Sequence, residues 1–332
     1  MIRLTGLSVN LSFPRAKQRS HIVAFTNAYH GHTLGSLALT GNRYYHDEHY
    51  GSHNNVTHLP YDGYLQGLDS STLLRRMLDD PSSGLPTPAA VIVETVQCEG
   101  GVRIASTEWI QKIRDICHQR DILLIVDDIQ VGNGRTGKFF SFEEAVIEPD
   151  LVCLSKSIGG GLPMSLVLIE RSCDVWKPGE HTGTFRGNNL AFVAAEVLLN
   201  YWRDDELEQQ IFEHGRTIRH ALEAIAGSYP DQVVDVRGRG MVWGIDLDDG
   251  AVANRIVQDL FHRGLIVETA GAEGNVVKLL PPLTIEPEVL REGLQLLGAS
   301  FAAVLGAGSA AAPVPGALDA TNDVAPEANP LH

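Results

Sequence analysis

Apolar residues along this chain fall into two kinds of pattern. Val91-Ile92-Val93 closes on Glu94, Ile122-Leu123-Leu124-Ile125-Val126 closes on Asp127, and Leu151-Val152-Cys153-Leu154 closes on Ser155-Lys156. Short, wholly apolar runs of this kind predict strands buried on both faces. Between the first two, after a Gly100-Gly101 turn, Trp109, Ile110, Ile113, Ile116 and Cys117 recur at three- and four-residue spacing. That spacing predicts a helix over 106–120, with Ser106 or Thr107 as its cap. Strand, helix, strand with continuous apolar strands predicts an α/β fold: a mostly parallel sheet, helices on both faces and right-handed crossovers. In such a sheet the ligand crevice lies beyond the carboxyl ends of the strands. Glu94, Asp127 and Lys156 are therefore expected to converge on one site.

After residue 184 the texture changes. Residues 189–207 and 213–226 have helical spacing, 233–236, 241–246, 265–268 and 276–280 read as strands, and 287–305 is helical again. This predicts a smaller α+β domain over 188–305, packed on a large domain over 21–187. Residues 1–20 fit neither a strand nor a helical stripe and form an atypical N-terminal remnant. Residues 306–332, rich in Ala, Pro, Gly and Asn, read as a disordered tail.

Composition narrows the function. The chain has 332 residues, 44% hydrophobic and 20% charged, enough to bury a large core. Lys plus Arg against Asp plus Glu, 26 against 41, gives a net charge of −15, which disfavours nucleic acid and anionic membrane surfaces as partners. Residues 1–20 carry no secretory apolar core and no apolar run reaches bilayer length, so a cytoplasmic protein is expected. Cys98, Cys117, Cys153 and Cys173 are too dispersed for a zinc knuckle and too few for a disulfide scaffold; they read as reduced, mostly core residues.

The chemistry centres on Lys156, which ends an apolar strand and precedes Ser157-Ile158-Gly159-Gly160-Gly161. A partly desolvated lysine beside a glycine turn suits covalent capture of an aldehyde; the plainer alternative is a solvated lysine before a flexible turn. Asp127, ending the neighbouring apolar strand, needs a cationic partner. A protonated pyridine nitrogen is one candidate and Arg135 another. A lysine and an aspartate at adjacent strand ends are what pyridoxal 5'-phosphate requires.

These residues carry a family resemblance. Phe25-Thr26-Asn27-Ala28-Tyr29-His30-Gly31-His32-Thr33, Glu94-Thr95-Val96-Gln97-Cys98-Glu99-Gly100-Gly101, Asp127-Asp128-Ile129-Gln130 with Gly134-Arg135-Thr136-Gly137, Ser155-Lys156 and Thr182-Gly183-Thr184-Phe185 resemble the class III (ω-) aminotransferases in order and rough spacing. Residues 181–190 and 277–285 are most similar to the branch that forms 2,4-diaminobutyrate for ectoine synthesis.

The resemblance implies fold type I and pyridoxal-phosphate-dependent transamination, with glutamate as donor, aspartate β-semialdehyde as acceptor, and a homodimer or higher oligomer. It implies that Lys156 holds the cofactor covalently and shuttles the proton, Asp127 pairs with the pyridine nitrogen, and Gln130 bonds the ring's 3-oxygen. Tyr29 stacks on the ring with His30 beside it, and Thr184 reaches the phosphate of the other subunit's cofactor. Glu94 and Glu99 stand on the substrate side, with Lys278 or Arg186 anchoring a substrate carboxylate. The plainer readings are a polar loop residue for Gln130, a core aromatic for Tyr29, a helix cap for Thr184 and a solvated strand lysine for Lys278.

The family also carries an upstream small-residue turn that holds the phosphate; here only Thr5-Gly6 resembles it. The expectation is that the N-terminal part of the family pattern is missing and that this shortened chain has altered cofactor binding or activity. Three other readings compete with this one. One is a different ω-aminotransferase, ornithine-, acetylornithine- or GABA-like. The second is a catalytically impaired homologue acting as a dimerisation or regulatory partner. The third is a metal-binding protein built on His30, His32, His46, His49, His53 and His58, a possibility set aside because Gly51, Asn54, Asn55 and Pro60 interrupt the alignment of these side chains.

Overall fold

A computed structural model describes residues 19–46, 55–179, 183 and 186–306. Thr5, Gly6, His49, His53, Thr184 and the segment 307–332 lie outside the described residues.

The apolar runs form the centre of a six-stranded sheet. Its strands are β1 (Ile22–Phe25), β2 (Val56–Leu59), β3 (Ala90–Val93), β6 (Leu123–Asp127), β7 (Leu151–Leu154) and β8 (Leu166–Ile169), in the order β2-β1-β3-β6-β7-β8. All neighbouring pairs are parallel except β7 and β8, so β8 is an antiparallel edge strand. Register places Val93 beside Val126 and Asp127 beside Cys153, which brings three strand ends level.

Both faces of the sheet are covered, which is why its strands read as unbroken apolar runs. On one face Leu124 and Val126 pack with Trp109, Ile113 and Ile116 of helix α2 (Thr107–Gln119). The Trp109 ring lies 4.9 Å from Phe25 and 5.1 Å from Tyr61. Ser106 caps α2 by accepting from the Trp109 amide, and helix α1 (Ser70–Asp79) packs beside it. On the other face Leu123 and Ile125 join Ile92, Leu151 and Cys153. A short hairpin, β4 (Val96–Gln97) and β5 (Arg103–Ile104), lies between β3 and α2.

Helix α3 (Asn189–Leu198) is shorter than the 189–207 stretch predicted. The chain breaks after Trp202, and Leu207 already belongs to helix α4 (Glu206–Ser228), whose core it enters. A four-stranded antiparallel sheet follows, in the order β11-β12-β10-β9. Its strands are β9 (Val233–Arg239), β10 (Val242–Leu247), β11 (Glu268–Ala270) and β12 (Val276–Leu279). Strand β11 starts where the predicted 265–268 strand ends, since Ile266 is solvent-exposed. Helices α4, α5 (Gly250–His262) and α6 (Pro287–Leu305) bury a second core with this sheet, including Ile211, Ile218, Ile245, Leu260, Val277 and Phe301.

The seam between the two sheets is built from guanidinium groups and backbone carbonyls. Arg237 donates to the Gly101 carbonyl at 2.9 and 2.7 Å, and Arg239 to the Ser141 carbonyl at 2.7 Å. In the opposite direction Arg135 donates to the Met241 and Pro281 carbonyls. Such charge-assisted bonds fix the second sheet against the strand-end loops of the first.

Candidate active site

Three strand-end charges meet, as the pattern predicted. A cleft of about 350 Å³ opens at the carboxyl ends of the parallel strands, lined by Glu94, Asp127 and Lys156 together with Tyr29, His30, His32, Gln130 and Ser155. Val96, Ile129, Val131, Pro163 and Met164 supply its apolar walls.

Lys156 follows β7 and begins a short 3-10 turn, with φ of +53°. A non-glycine residue in the left-handed region is strained, and such strain collects at functional positions. Asp127 ends β6 and is only 5% exposed. One of its oxygens lies 2.7 Å from His30 Nδ1, and the other accepts from the Ile129 amide at 3.2 Å. His30 is itself buried, and its Nε2 has no hydrogen-bond partner among the described residues. The Arg135 alternative for Asp127 is overturned: Asp127 pairs with His30, while Arg135 Nη1 donates to the Met241 and Pro281 carbonyls and burial pulls its guanidinium down to about 10.

Glu94 directly follows β3 and is buried, its carboxyl group accepting from the Tyr29 amide at 3.1 Å. Burial, reinforced by the nearby Asp127 charge, holds this carboxyl well above the usual carboxylate range. Tyr29 stands edge-on to His32 and Tyr45, with ring centroids 5.5 and 5.1 Å away.

Glu99 lies on the turn after β4 and meets the second sheet there. Its Oε1 accepts from Lys278 Nζ at 2.6 Å and from Gln130 Nε2 at 3.1 Å. Lys278, on β12, has a side chain only 1% exposed, so the reading of it as a solvated strand lysine is overturned. Glu268, largely exposed, approaches the same ammonium at 3.4 Å. Burial alone would raise Glu99 and lower Lys278, but their mutual attraction outweighs it and moves each net the other way.

The structure thus joins Tyr29, His30, Glu94, Asp127, Gln130 and Lys156 around one cleft, with the Glu99–Lys278 pair attached through Gln130. It does not bring Arg186 there: that residue is exposed and absent from the lining. Pro163 and Met164 line the cleft without having been singled out from sequence, and His32, named there as a candidate metal ligand rather than a cleft residue, lines it too. The signal for His32 is its place two residues after His30 in the same motif. Two of the clustered histidines have carbonyl partners, His46 on Thr40 at 2.7 Å and His58 on Leu39 at 3.1 Å. The donor set fits a pyridoxal cofactor: a primary amine and a buried, oriented carboxylate face one cleft that also offers an aromatic ring and aliphatic walls.

Comparison with known proteins agrees with this geometry. The family profile for aminotransferase class-III matches residues 8–301. A diaminobutyrate--2-oxoglutarate transaminase of Wolinella succinogenes is 51% identical over 290 residues, covering 87% of this chain and 68% of that protein. One from Bordetella parapertussis is 52% identical over 295 residues, covering 88% and 68%. Among solved structures, the ornithine aminotransferase of Toxoplasma gondii matches with a TM-score of 0.76 at 28% identity, covering 86% of this chain and 65% of that one. A Bacillus anthracis aminotransferase matches with a TM-score of 0.81 at 25% identity, covering 90% and 73%. The chain spans about two thirds of the length of these relatives. On the profile match and the relatives' identity, this chain belongs to the class-III aminotransferase family.

Proposed function

We propose that this enzyme transfers an amino group from glutamate to aspartate β-semialdehyde, giving 2-oxoglutarate and 2,4-diaminobutyrate, with pyridoxal 5'-phosphate as cofactor. The observation that carries the reading is geometric. Lys156 and Asp127 face one cleft, and the cleft residue Gln130 is bonded to a partly buried carboxylate–ammonium pair, Glu99 and Lys278. The relatives' names carry diaminobutyrate and 2-oxoglutarate, the two products of this reaction, and glutamate and aspartate β-semialdehyde follow as their amino-transfer counterparts.

When bound, the cofactor supplies an electron sink that stabilises negative charge at the substrate carbon. In this reading the chain's residues do the rest. Lys156 holds the cofactor and carries the proton from one reacting carbon to the other. Asp127, its carboxylate oriented by His30, keeps the ring nitrogen protonated. Tyr29 covers one ring face, positioned through its amide by Glu94, and Gln130 bonds the ring's 3-oxygen. Lys278 receives a substrate carboxylate; Glu99 neutralises it when the bound substrate places no carboxylate there, so one site serves both substrates in turn. Kinetics are then ping-pong.

A homodimer suits the exposed apolar face of α3, where Leu190, Val193 and Val197 lie at helical spacing. Four buried cysteines, none of them in a disulfide, suit a reducing, cytoplasmic setting. Among the described residues, no helix is long and apolar enough to cross a membrane.

The test is a single turnover. Adding glutamate to the cofactor-loaded chain should bleach the visible band of the lysine-bound cofactor and release one equivalent of 2-oxoglutarate. Aspartate β-semialdehyde should then restore the band and yield 2,4-diaminobutyrate. An unbleached band overturns the reading, and faster restoration by the semialdehyde of ornithine moves the chain to another branch of the family.

A further inference from the structure

We propose that Asn133 is a positioning residue for Lys156, acting through the hydroxyl of Ser157. The left-handed backbone at Lys156, φ +53°, is strained and persists only where the surroundings impose it. Two side-chain bonds flank that residue. On one side Ser155 Oγ donates to the Met164 carbonyl at 2.7 Å; on the other Asn133 Nδ2 donates to Ser157 Oγ at 3.1 Å.

The second bond has a property the first lacks. Asn133 follows β6 in the loop that carries Asp127 and Gln130, whereas Ser157 follows β7. Because β6 and β7 are parallel neighbours with Asp127 opposite Cys153, the Asn133–Ser157 bond ties the aspartate's loop to the lysine's loop. It sets where the Lys156 amine stands relative to the Asp127 carboxylate, and an error of about 1 Å in such a relation can cost about 100-fold in rate.

Stability alone does not account for an asparagine here. Asn133 is 2% exposed and itself left-handed, φ +55°, and its Oδ1 is buried without a partner among the described residues. An unmatched buried carbonyl is costly, and glycine would adopt the same left-handed backbone without it. What the amide adds is one donor, held rigidly in the interior and aimed at the exposed Ser157.

The inference rests on the reading of Lys156 as the cofactor-holding lysine, and the experiment separates the two. Full-length wild type, Asn133→Ala, Ser157→Ala, the double variant and Ser157→Thr are prepared free of cofactor and mixed with pyridoxal 5'-phosphate. Growth of the visible band gives the capture rate, and its pH titration gives the midpoint of the captured form. Each alanine variant should capture about ten-fold more slowly and move the midpoint in the same direction. Their kcat should fall by a similar factor while KM for glutamate holds. The double variant should be no worse than either single one, and Ser157→Thr, which keeps the hydroxyl, should restore wild-type values.

Alanine variants with wild-type capture rates and midpoints overturn the inference, as do effects that multiply in the double variant. If Asn133→Ala does not fold, the exposed Ser157→Ala carries the same test. A wild-type chain that develops no band overturns the functional reading and this inference with it. A wild-type band with unmoved variants overturns this inference alone.

Discussion

Lys278 Nζ lies 2.6 Å from Glu99 Oε1, an ion pair that bridges the two sheets at the point where Gln130 also touches Glu99. Buried pairs of this kind are poor stabilisers but costly to break on one side. Lys278→Met leaves the Glu99 carboxylate without its cation and removes the proposed carboxylate anchor. KM for glutamate should rise about 10- to 100-fold, the equivalent of a charged hydrogen bond, with a smaller change in kcat. Lys278→Arg, which keeps the charge, should stay within about ten-fold of wild type. Steady-state kinetics with varied glutamate decide it; unchanged KM in Lys278→Met rejects the anchor.

Glu99 is net lowered and Lys278 net raised, which fixes the pH window of the pair. Stability from a depressed carboxylate is present above its unfolded pKa and lost as pH falls through the folded one. Stability from a raised lysine is present below its unfolded pKa and lost as pH rises through the folded value. The pair is thus intact from about pH 5 to about pH 10. KM for glutamate should show no inflection from Glu99 or Lys278 inside that range.

Lys156→Ala should abolish turnover and borohydride-stable cofactor attachment while leaving the unfolding midpoint close to wild type, since the side chain is solvent-exposed. Asp127→Asn keeps the shape but not the charge, and should lower kcat by about 100-fold or more. Retained turnover in Lys156→Ala discards the assignment of that lysine.

How much of this was legible in the sequence depends on where each contact is made. The continuous runs ending at Glu94, Asp127 and Lys156 gave away β3, β6 and β7, because a strand buried on both faces cannot hide its composition. The side of the site that crosses to the second sheet was less visible. Lys278 sits 179 residues from Glu99, and nothing in its own strand marks it as buried. Arg135 and Asn133 are equally silent, one bonding carbonyls of the other sheet and the other a serine on the adjacent loop. Helix spacing misjudged the 189–207 stretch because Leu199 and Trp202 continue the apolar pattern across the break before α4. The pattern records which positions are apolar, and a change of helix axis leaves that unaltered.

Asp128, fully buried beside Asp127, has a carboxyl pushed up to about 7 by burial, even though it accepts from the Ser141 amide at 3.0 Å. An acid raised in the folded state contributes stability that is present below its unfolded pKa and is lost as pH rises toward the folded one. Between about pH 4.5 and 7 this group should make unfolding easier by about 1.4 kcal/mol per pH unit. Asp128→Asn keeps an acceptor for Ser141 and cannot ionise. Urea denaturation at several pH values should show a decline in stability shallower by that amount in the variant. Parallel pH curves for the two proteins would contradict a raised Asp128.

Gly240, in the turn between β9 and β10, has φ of +58°, a region where any other residue is strained. Its neighbours are backbone rather than flexible side chain. A Cβ there would stand 2.5 Å from the Thr136 carbonyl carbon, 2.6 Å from the Arg135 oxygen and 2.8 Å from the Gly137 nitrogen. Nothing on that list can rotate away, so Gly240→Ala must push the second sheet off the loop that carries Gln130 and Arg135. The expected cost is about 3 kcal/mol or more. The displacement should also reach the site, since β10 is paired with β12 and places Gly244 opposite Lys278. KM for glutamate should therefore rise together with the loss of stability. Gly227→Ala is the control: it lies near the end of α4 with open space around its Cβ position, and alanine is the better helix former there. That variant should match or slightly exceed wild type in its unfolding midpoint and leave KM unchanged. If Gly240→Ala behaves like Gly227→Ala, the two sheets are not held by the close backbone contact at this turn.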